Sequence, residues 1–349
     1  MTAAPSGGER LPLIDALKAI ASQLIVLHHL AFYGPMSDHG VSLFPALLAW
    51  LSQDARIAVQ AFLVMGGFLA ARALAREGVL IEKPLSALLW HRVIKIVLPY
   101  LCALLLALAA AALARHLMAH PSIPEPPTLA QFLAHLFLLN GLLGYDSLSA
   151  GLWYVAIDFQ LYLLLLALLA LARHFGKHAR TVGQLLVFVL TAAALFHFNR
   201  DSSWDNAAVY FFGAYGLGLF AFWAVKPGQG SPWLVVIFLT AAAALFLDFR
   251  SRIAVALGVA TLIGLLRYSG TLGRFPESRS LAWLGKISYA VFLVHFPVCL
   301  VVNAVFERFA AHTPVIQLMG MVIAWAASLG MGALFHWQVE GRIARLFRK

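Results

Sequence analysis

Ten apolar runs, each close to bilayer-spanning length, dominate this chain: about 13–33, 56–76, 93–114, 152–172, 182–198, 207–225, 232–248, 252–268, 282–304 and 315–337. Roughly 20 consecutive apolar residues make an α-helix long enough to cross the hydrocarbon core. The runs are continuous rather than alternating, which excludes a transmembrane β-barrel. Composition agrees: the chain is 62% hydrophobic and 11% charged, where soluble domains average about 45–50% and about 25%. The expected fold is an all-α integral membrane protein of about ten transmembrane helices.

The connectors complete the plan. "LFPALLAWL" (43–51) and "AHLFLLNGLL" (134–143) are apolar but too short to span, and read as interfacial or re-entrant pieces. "HPSIPEPPT" (120–128) carries four prolines and reads as a loop. The predicted organisation is an N-terminal cytoplasmic segment (1–12), a membrane domain (13–337) and a basic cytoplasmic tail (338–349). No small-residue cleavage pattern follows the first run, so that run is expected to stay in the mature protein. No internal repeat is evident, which speaks against an inverted-repeat transporter.

The net charge of +10 does not signal nucleic acid, because the basic residues gather in the short connectors between apolar runs. With the N-terminus inside, eighteen lysines and arginines fall on the inner side and six on the outer, and Lys18 within the first run completes the 25. That bias places both termini in the cytoplasm. Cys102 and Cys299 both lie in apolar runs and read as packing residues. The thirteen histidines are scattered without metal-ligand spacing, so no metal is expected.

Ionisable groups inside such runs cost a few kcal/mol each, roughly 2.5–3.5 for Lys or Asp on insertion scales, and mark function or pairing. In "DALKAIASQLIVLHH" (15–29), Lys18 and His29 are eleven residues apart, or three helical turns plus about 20°, so they share a face about 16 Å long. Asp15 is within ion-pair reach of Lys18. His28 points about 100° away from His29. "WHRVIKIVLPY" (90–100) places Arg92 and Lys95 on one face at the inner end of the third run. "GLWYVAIDFQLYLLLL" (151–166) buries Asp158 within a run, with Tyr162 one turn later. "LGKISYAVFLVHFPV" (284–298) carries Ser288, Tyr289 and His295. From periodicity alone, snorkelling, positive-inside anchoring and helix–helix hydrogen bonds account for these groups as well as a functional site does.

As a set, these stretches resemble the membrane-bound acyltransferase family 3, ten-span bacterial O-acyltransferases that modify cell-surface sugars and related acceptors. Lys18 and His29 match the family's first-span pattern of a basic residue, ten others and a histidine. "FLVMGGFLAAR" (62–72) resembles its Phe-x-x-Ser-Gly-Phe stretch, "HRVIKIVLP" its basic-x-x-basic stretch, "LWYVAIDFQLY" its Trp…Glu…Tyr stretch, and "LGKISYAVFLVHFP" its late Ser-Tyr…His-Pro stretch. Three positions depart from the pattern: Gly66 replaces a serine, Asp158 a glutamate and Lys95 an arginine.

The resemblance implies an acyltransferase of the bacterial cytoplasmic membrane that uses acyl-CoA, most simply acetyl-CoA, and a hydroxyl acceptor such as a cell-surface saccharide. It makes His29 and Asp158 the catalytic residues and Lys18, Arg92 and Lys95 the coenzyme A contacts. Trp153, Tyr162 and His295 become acceptor contacts, with Asp146 and Asn140 as further outer-side candidates. The chemistry fits, since a neutral imidazole removes a hydroxyl proton near pH 7 and cations hold the coenzyme's phosphates. Transfer through an acyl-histidine stays open beside direct transfer. A proton-coupled transporter or channel with Asp15, Lys18, His29 and Asp158 as a relay is the alternative reading.

Overall fold

The computed structural model describes residues 11–347, a bundle that is 78% helical. The helices are α1 (Pro12–Phe32), α2 (Pro35–Gly40), α3 (Pro45–Gln53), α4 (Val59–Leu74), α5 (Leu85–Arg92), α6 (Leu98–Leu117), α7 (Leu129–Leu136), α8 (Leu152–Arg173), α9 (Ala179–Phe196), α10 (Ala208–Trp223), α11 (Pro232–Leu247), α12 (Ser251–Tyr268), α13 (Arg279–Phe309), α14 (Pro314–Phe335) and α15 (Gly341–Leu346). A two-residue hairpin, β1 (Val225–Lys226) with β2 (Gln229–Gly230), links α10 to α11. Most of the proposed N-terminal segment, together with Arg348 and Lys349 of the tail, lies outside the described residues.

Eight helical stretches have the length and hydropathy of a span, and α10 and α11 are apolar helices of sixteen residues each. These coincide with the ten runs read from sequence. The largest difference is at the third, where α5 and α6 join through a π-helical turn, Val93–Val97, into one rod from Leu85 to Leu117. The polar "WHR" ended the apolar run but contains no helix breaker, so the helix continues through it. The first short apolar piece lies mostly in α3, the second supplies only the end of α7 before a run of turns over 137–143, and 120–128 is non-helical. Cys299 is buried in α13 while Cys102 is exposed on α6, so a packing role holds for Cys299 alone.

α10 is the central element, with all its residues except Val209 buried. A helix apolar on every side needs neighbours on every side. It meets α4 at backbone contact through a reciprocal pair of glycines. A Cβ on Gly67 would strike the Tyr215 carbonyl, and one on Gly218 the Val64 carbonyl. Small residues at a crossing are how apolar helices gain close packing in lipid.

α1 and α13 run parallel from the basic face of the bundle. Gly285 of α13 lies against the Asp15 backbone at one end. At the other, α1 turns into α2 through Gly34, whose φ of +101° few other residues tolerate. Asn303 of α13 fixes that corner, because its Oδ1 accepts from the Met36 N–H at 3.1 Å. Two helices far apart in sequence are thereby held in register at both ends.

Candidate active site

That register brings His29 of α1 against His295 of α13. His29 Nδ1 lies 2.6 Å from His295 Nε2, and the two rings are stacked with centroids 4.9 Å apart. His295 Nδ1 faces the carbonyls of Val291 and Phe292, at 3.1 and 2.9 Å. Carbonyls only accept, so Nδ1 of His295 carries the proton and its Nε2 offers a lone pair. His29 must then donate from Nδ1, which leaves its Nε2 as a free base. The neutral pair is thus set in one tautomer by the α13 backbone.

His295 is completely buried and His29 is 7% exposed. His29 forms part of the wall of a cavity of about 740 Å³, within the size range of small-molecule sites. The cavity opens on the face opposite the basic one. Its rim comes from the proline-rich loop (His120 to Glu125) and the loop before α8 (Asp146 to Ala150), and its walls from Phe32, Tyr33, Trp153 and Phe296. Arg56, His120 and Gln131 add polar groups. The Tyr33 hydroxyl adds a further polar group to the lining.

The rim is braced from below by His135 of α7. Its Nδ1 donates to the Gln131 carbonyl at 2.8 Å, and its Nε2 accepts from the Leu148 N–H at 3.1 Å. Burial lowers its pKa, against the opposing effect of the Gln131 carbonyl, so the ring stays neutral. His120 Nδ1 accepts from the Ser122 N–H, so its Nε2–H points to Asp38 at 3.1 Å.

A second polar centre lies nearer the basic face. Arg92 of α5 donates to Asp158 of α8, and its guanidinium sits 4.8 Å from the centre of the Tyr162 ring. The Tyr162 hydroxyl donates to the Leu88 carbonyl at 3.2 Å, and Tyr289 donates to the Ile96 carbonyl at 2.8 Å within the π-helical turn. That turn carries Lys95 to an exposed position. Lys18 feels the charges of Asp15 and Lys95.

The sequence-derived candidates therefore divide into two sets. His29, Trp153 and Asp146 border the cavity. His295 stands behind His29 rather than on the cavity wall. Arg92, Lys95, Asp158 and Tyr162 form the second centre, and Lys18 lies near it. Asn140 is buried away from the cavity. Aromatic rings join the two sets. Phe292 on the cavity wall packs on Tyr154 at 5.4 Å and on His295 at 6.0 Å, and Tyr154 feels the charges of Asp158 and Arg92.

Sequence reasoning set His28 aside, yet it also borders the cavity, with Nδ1 donating to the Leu51 carbonyl at 3.0 Å. Gly151 was also passed over. A Cβ there would sit 2.8 Å from the Phe292 carbonyl and 3.4 Å from the His295 ring, so this glycine lets α8 back the histidine pair. Its place at the head of the "GLWY" stretch was the available signal. Gly66 leaves ordinary contact distance, 3.7 Å, between its notional Cβ and Asp158 Oδ1.

From residue 11 to residue 333 the chain matches the family model of an acyltransferase domain. No curated protein and no solved structure matches it. A match over nearly the whole chain, on a bundle with this many apolar helices, carries one conclusion: the protein belongs to the acyltransferase 3 family and is a multi-pass membrane acyltransferase.

Proposed function

We propose that this acyltransferase takes an acyl group, acetyl in the simplest case, from acyl-CoA at the basic face. It delivers that group to a hydroxyl of a saccharide held in the cavity on the opposite face, with His29 as general base. The orientation rule for lysine and arginine makes the basic face cytoplasmic, and the family resemblance supports the bacterial cytoplasmic membrane as its location. The single observation that carries this reading is the His29–His295 pair at the cavity wall, oriented by main-chain carbonyls so that His29 Nε2 is unprotonated.

The reaction balances without a further reagent. His29 Nε2 takes the acceptor hydroxyl proton as the oxygen attacks the thioester carbonyl. The tetrahedral intermediate expels the coenzyme A thiolate, which recovers the proton from the imidazolium. While His29 is cationic, its Nδ1–H bond to His295 Nε2 spreads the charge. In this role His295 is a positioning residue. The cavity lining suits a sugar, since the aromatic rings of Phe32, Tyr33 and Trp153 share it with the polar groups of Arg56, Gln131 and Asp146.

At the basic face, Lys95 and Lys18 are the cations for the coenzyme's phosphates. Arg92, already paired, holds Asp158 and Tyr162 in place. The rings of Tyr154 and Phe292 lie between the two centres and must part for the pantetheine arm to bring its thioester to His29. A proton relay through His29 and Asp158 finds no support in the geometry, because each is tied to a different partner. Mass spectrometry of surface glycans from cells with and without the gene tests the proposal. Loss of one acyl group per modified sugar is expected, and identical glycan masses would overturn it.

A further inference from the structure

The corner that positions α1 holds a cluster that the mechanism does not use. Glu307 lies one turn beyond Asn303 on α13, and His39 lies one turn beyond Met36 on α2. The Asn303–Met36 contact is therefore followed, one turn on, by Glu307 facing His39. His312, from the connector between α13 and α14, completes the group. Its ring stacks on His39 with centroids 4.8 Å apart. Glu307 Oε2 is 3.7 Å from His39 Nε2 and 3.5 Å from His312 Nε2.

We propose that His39, Glu307 and His312 bind a divalent transition-metal ion, with zinc the best fit. Two imidazoles and a carboxylate are a common zinc donor set, and water supplies the fourth position. One ligand atom from each residue lies within 4.8 Å of the others. In a tetrahedral site with bonds of roughly 2.0–2.1 Å, neighbouring donors stand roughly 3.3 Å apart. The two carboxylate–imidazole edges thus need to contract by only a few tenths of an ångström.

A second observation points the same way. Glu307 Oε2 is buried and has no hydrogen-bond partner among the described residues. A buried carboxylate oxygen left unsatisfied is costly, and a cation satisfies it. His312 Nε2 now meets the Glu307 main-chain carbonyl at 3.0 Å. Metal binding moves that imidazole proton to Nδ1 and gives up this contact.

The ion would join α2 to the ends of α13 and α14. α1 leads directly into α2, and α13 carries His295, so the ion clamps the two helices that supply the histidine pair. Asp38, beside His39, also holds His120 on the cavity rim. The clamp therefore steadies the rim as well.

The test uses the full chain in lipid nanodiscs, purified without a histidine tag and stripped with chelator. It is titrated with zinc chloride, and bound metal is counted by plasma mass spectrometry. One zinc per chain is expected, with a higher melting midpoint in its presence. Cobalt(II) is expected to give the visible absorption of a tetrahedral site. His39→Ala, His312→Ala and Glu307→Gln are each expected to weaken binding at least about tenfold. His174→Ala, on the basic face, is expected to keep it. Because Glu307→Gln preserves side-chain shape, its loss of zinc with an unchanged metal-free melting midpoint separates ligation from folding. A wild-type chain that takes up no zinc, leaving only a histidine–carboxylate ion cluster, would overturn the proposal. So would a triple variant that binds zinc as the wild type does.

Discussion

His29 Nδ1 and His295 Nε2 approach to 2.6 Å across 266 positions of sequence, and main-chain carbonyls on the far side of His295 decide which ring donates. One imidazole is thereby left with its Nε2 lone pair toward the cavity side, and the other holds it in that tautomer. A carboxylate does the same for the histidine in hydrolase triads. Here a neutral ring serves, in a site where a second charge would be expensive.

His295→Phe removes the acceptor for His29 Nδ1–H while still filling the buried space. It is expected to lower kcat about a hundredfold and to leave the acceptor KM nearly unchanged. Steady-state kinetics on the purified variant provide the check. A matching rise in KM with kcat intact would place His295 among the acceptor contacts instead.

The Arg92–Asp158 pair is only partly exposed, at 21% and 16% of its side chains. Asp158→Asn leaves the guanidinium without its counter-charge and is expected to cost about 2 kcal/mol of stability. Arg92→Met with Asp158→Leu removes both charges and is expected to recover part of that loss without recovering turnover. Thermal unfolding beside an acyl-transfer assay checks both points. A double variant less stable than either single variant would contradict the pairing.

Gly67→Ala and Gly218→Ala each drive a methyl into a backbone carbonyl at the α4–α10 crossing and are expected to destabilise by about 3 kcal/mol. At Gly66 the nearest atoms, in Tyr215 and Asp158, stay 3.5 Å or more from a Cβ, and Gly66→Ala is expected to cost less than about 1 kcal/mol. Melting midpoints of the three variants decide it. Equal losses at all three positions would refute the crossing geometry.

His135 gives a pH signature for the cavity rim. Its pKa is lowered in the folded protein, so below about pH 6.5 the unfolded chain binds more protons than the folded one, and the neutral ring's contribution fades as pH falls. The destabilisation caused by His135→Gln is therefore expected to be largest near pH 7.5 and to shrink toward pH 5. Unfolding midpoints across that range provide the check. A penalty that grows on acidification would contradict it.

The spans were legible because a membrane helix must be apolar over a fixed length; among the described residues eight helical stretches meet that condition, and the other two runs fold as apolar helices of sixteen residues. The Lys18-to-His29 face was legible because 3.6-residue periodicity is local. Pairing across the bundle was not. Nothing near His29 in sequence points to a residue in α13, so His295 was read as an acceptor contact although it stands behind His29, off the cavity wall. Asp158 was assigned to the chemistry, and its neighbour Arg92 comes from another helix 66 positions away. His39 and His312 lacked ligand spacing because the corner that brings them together depends on Gly34 and Asn303. The joining of α5 to α6 was hidden for a different reason: three polar residues ended the hydropathy signal without ending the helix.

Acyl transfer from radiolabelled acetyl-CoA to acceptor by the purified protein, compared between His29→Ala and His28→Ala, tests the central claim most directly. Both histidines border the cavity and are equally buried, but His29 hydrogen-bonds a second imidazole while His28 hydrogen-bonds the Leu51 carbonyl. The account predicts that His29→Ala lowers transfer by about a thousandfold and that His28→Ala keeps at least a tenth of wild-type activity. Transfer that survives in His29→Ala, or that disappears only in His28→Ala, would contradict it.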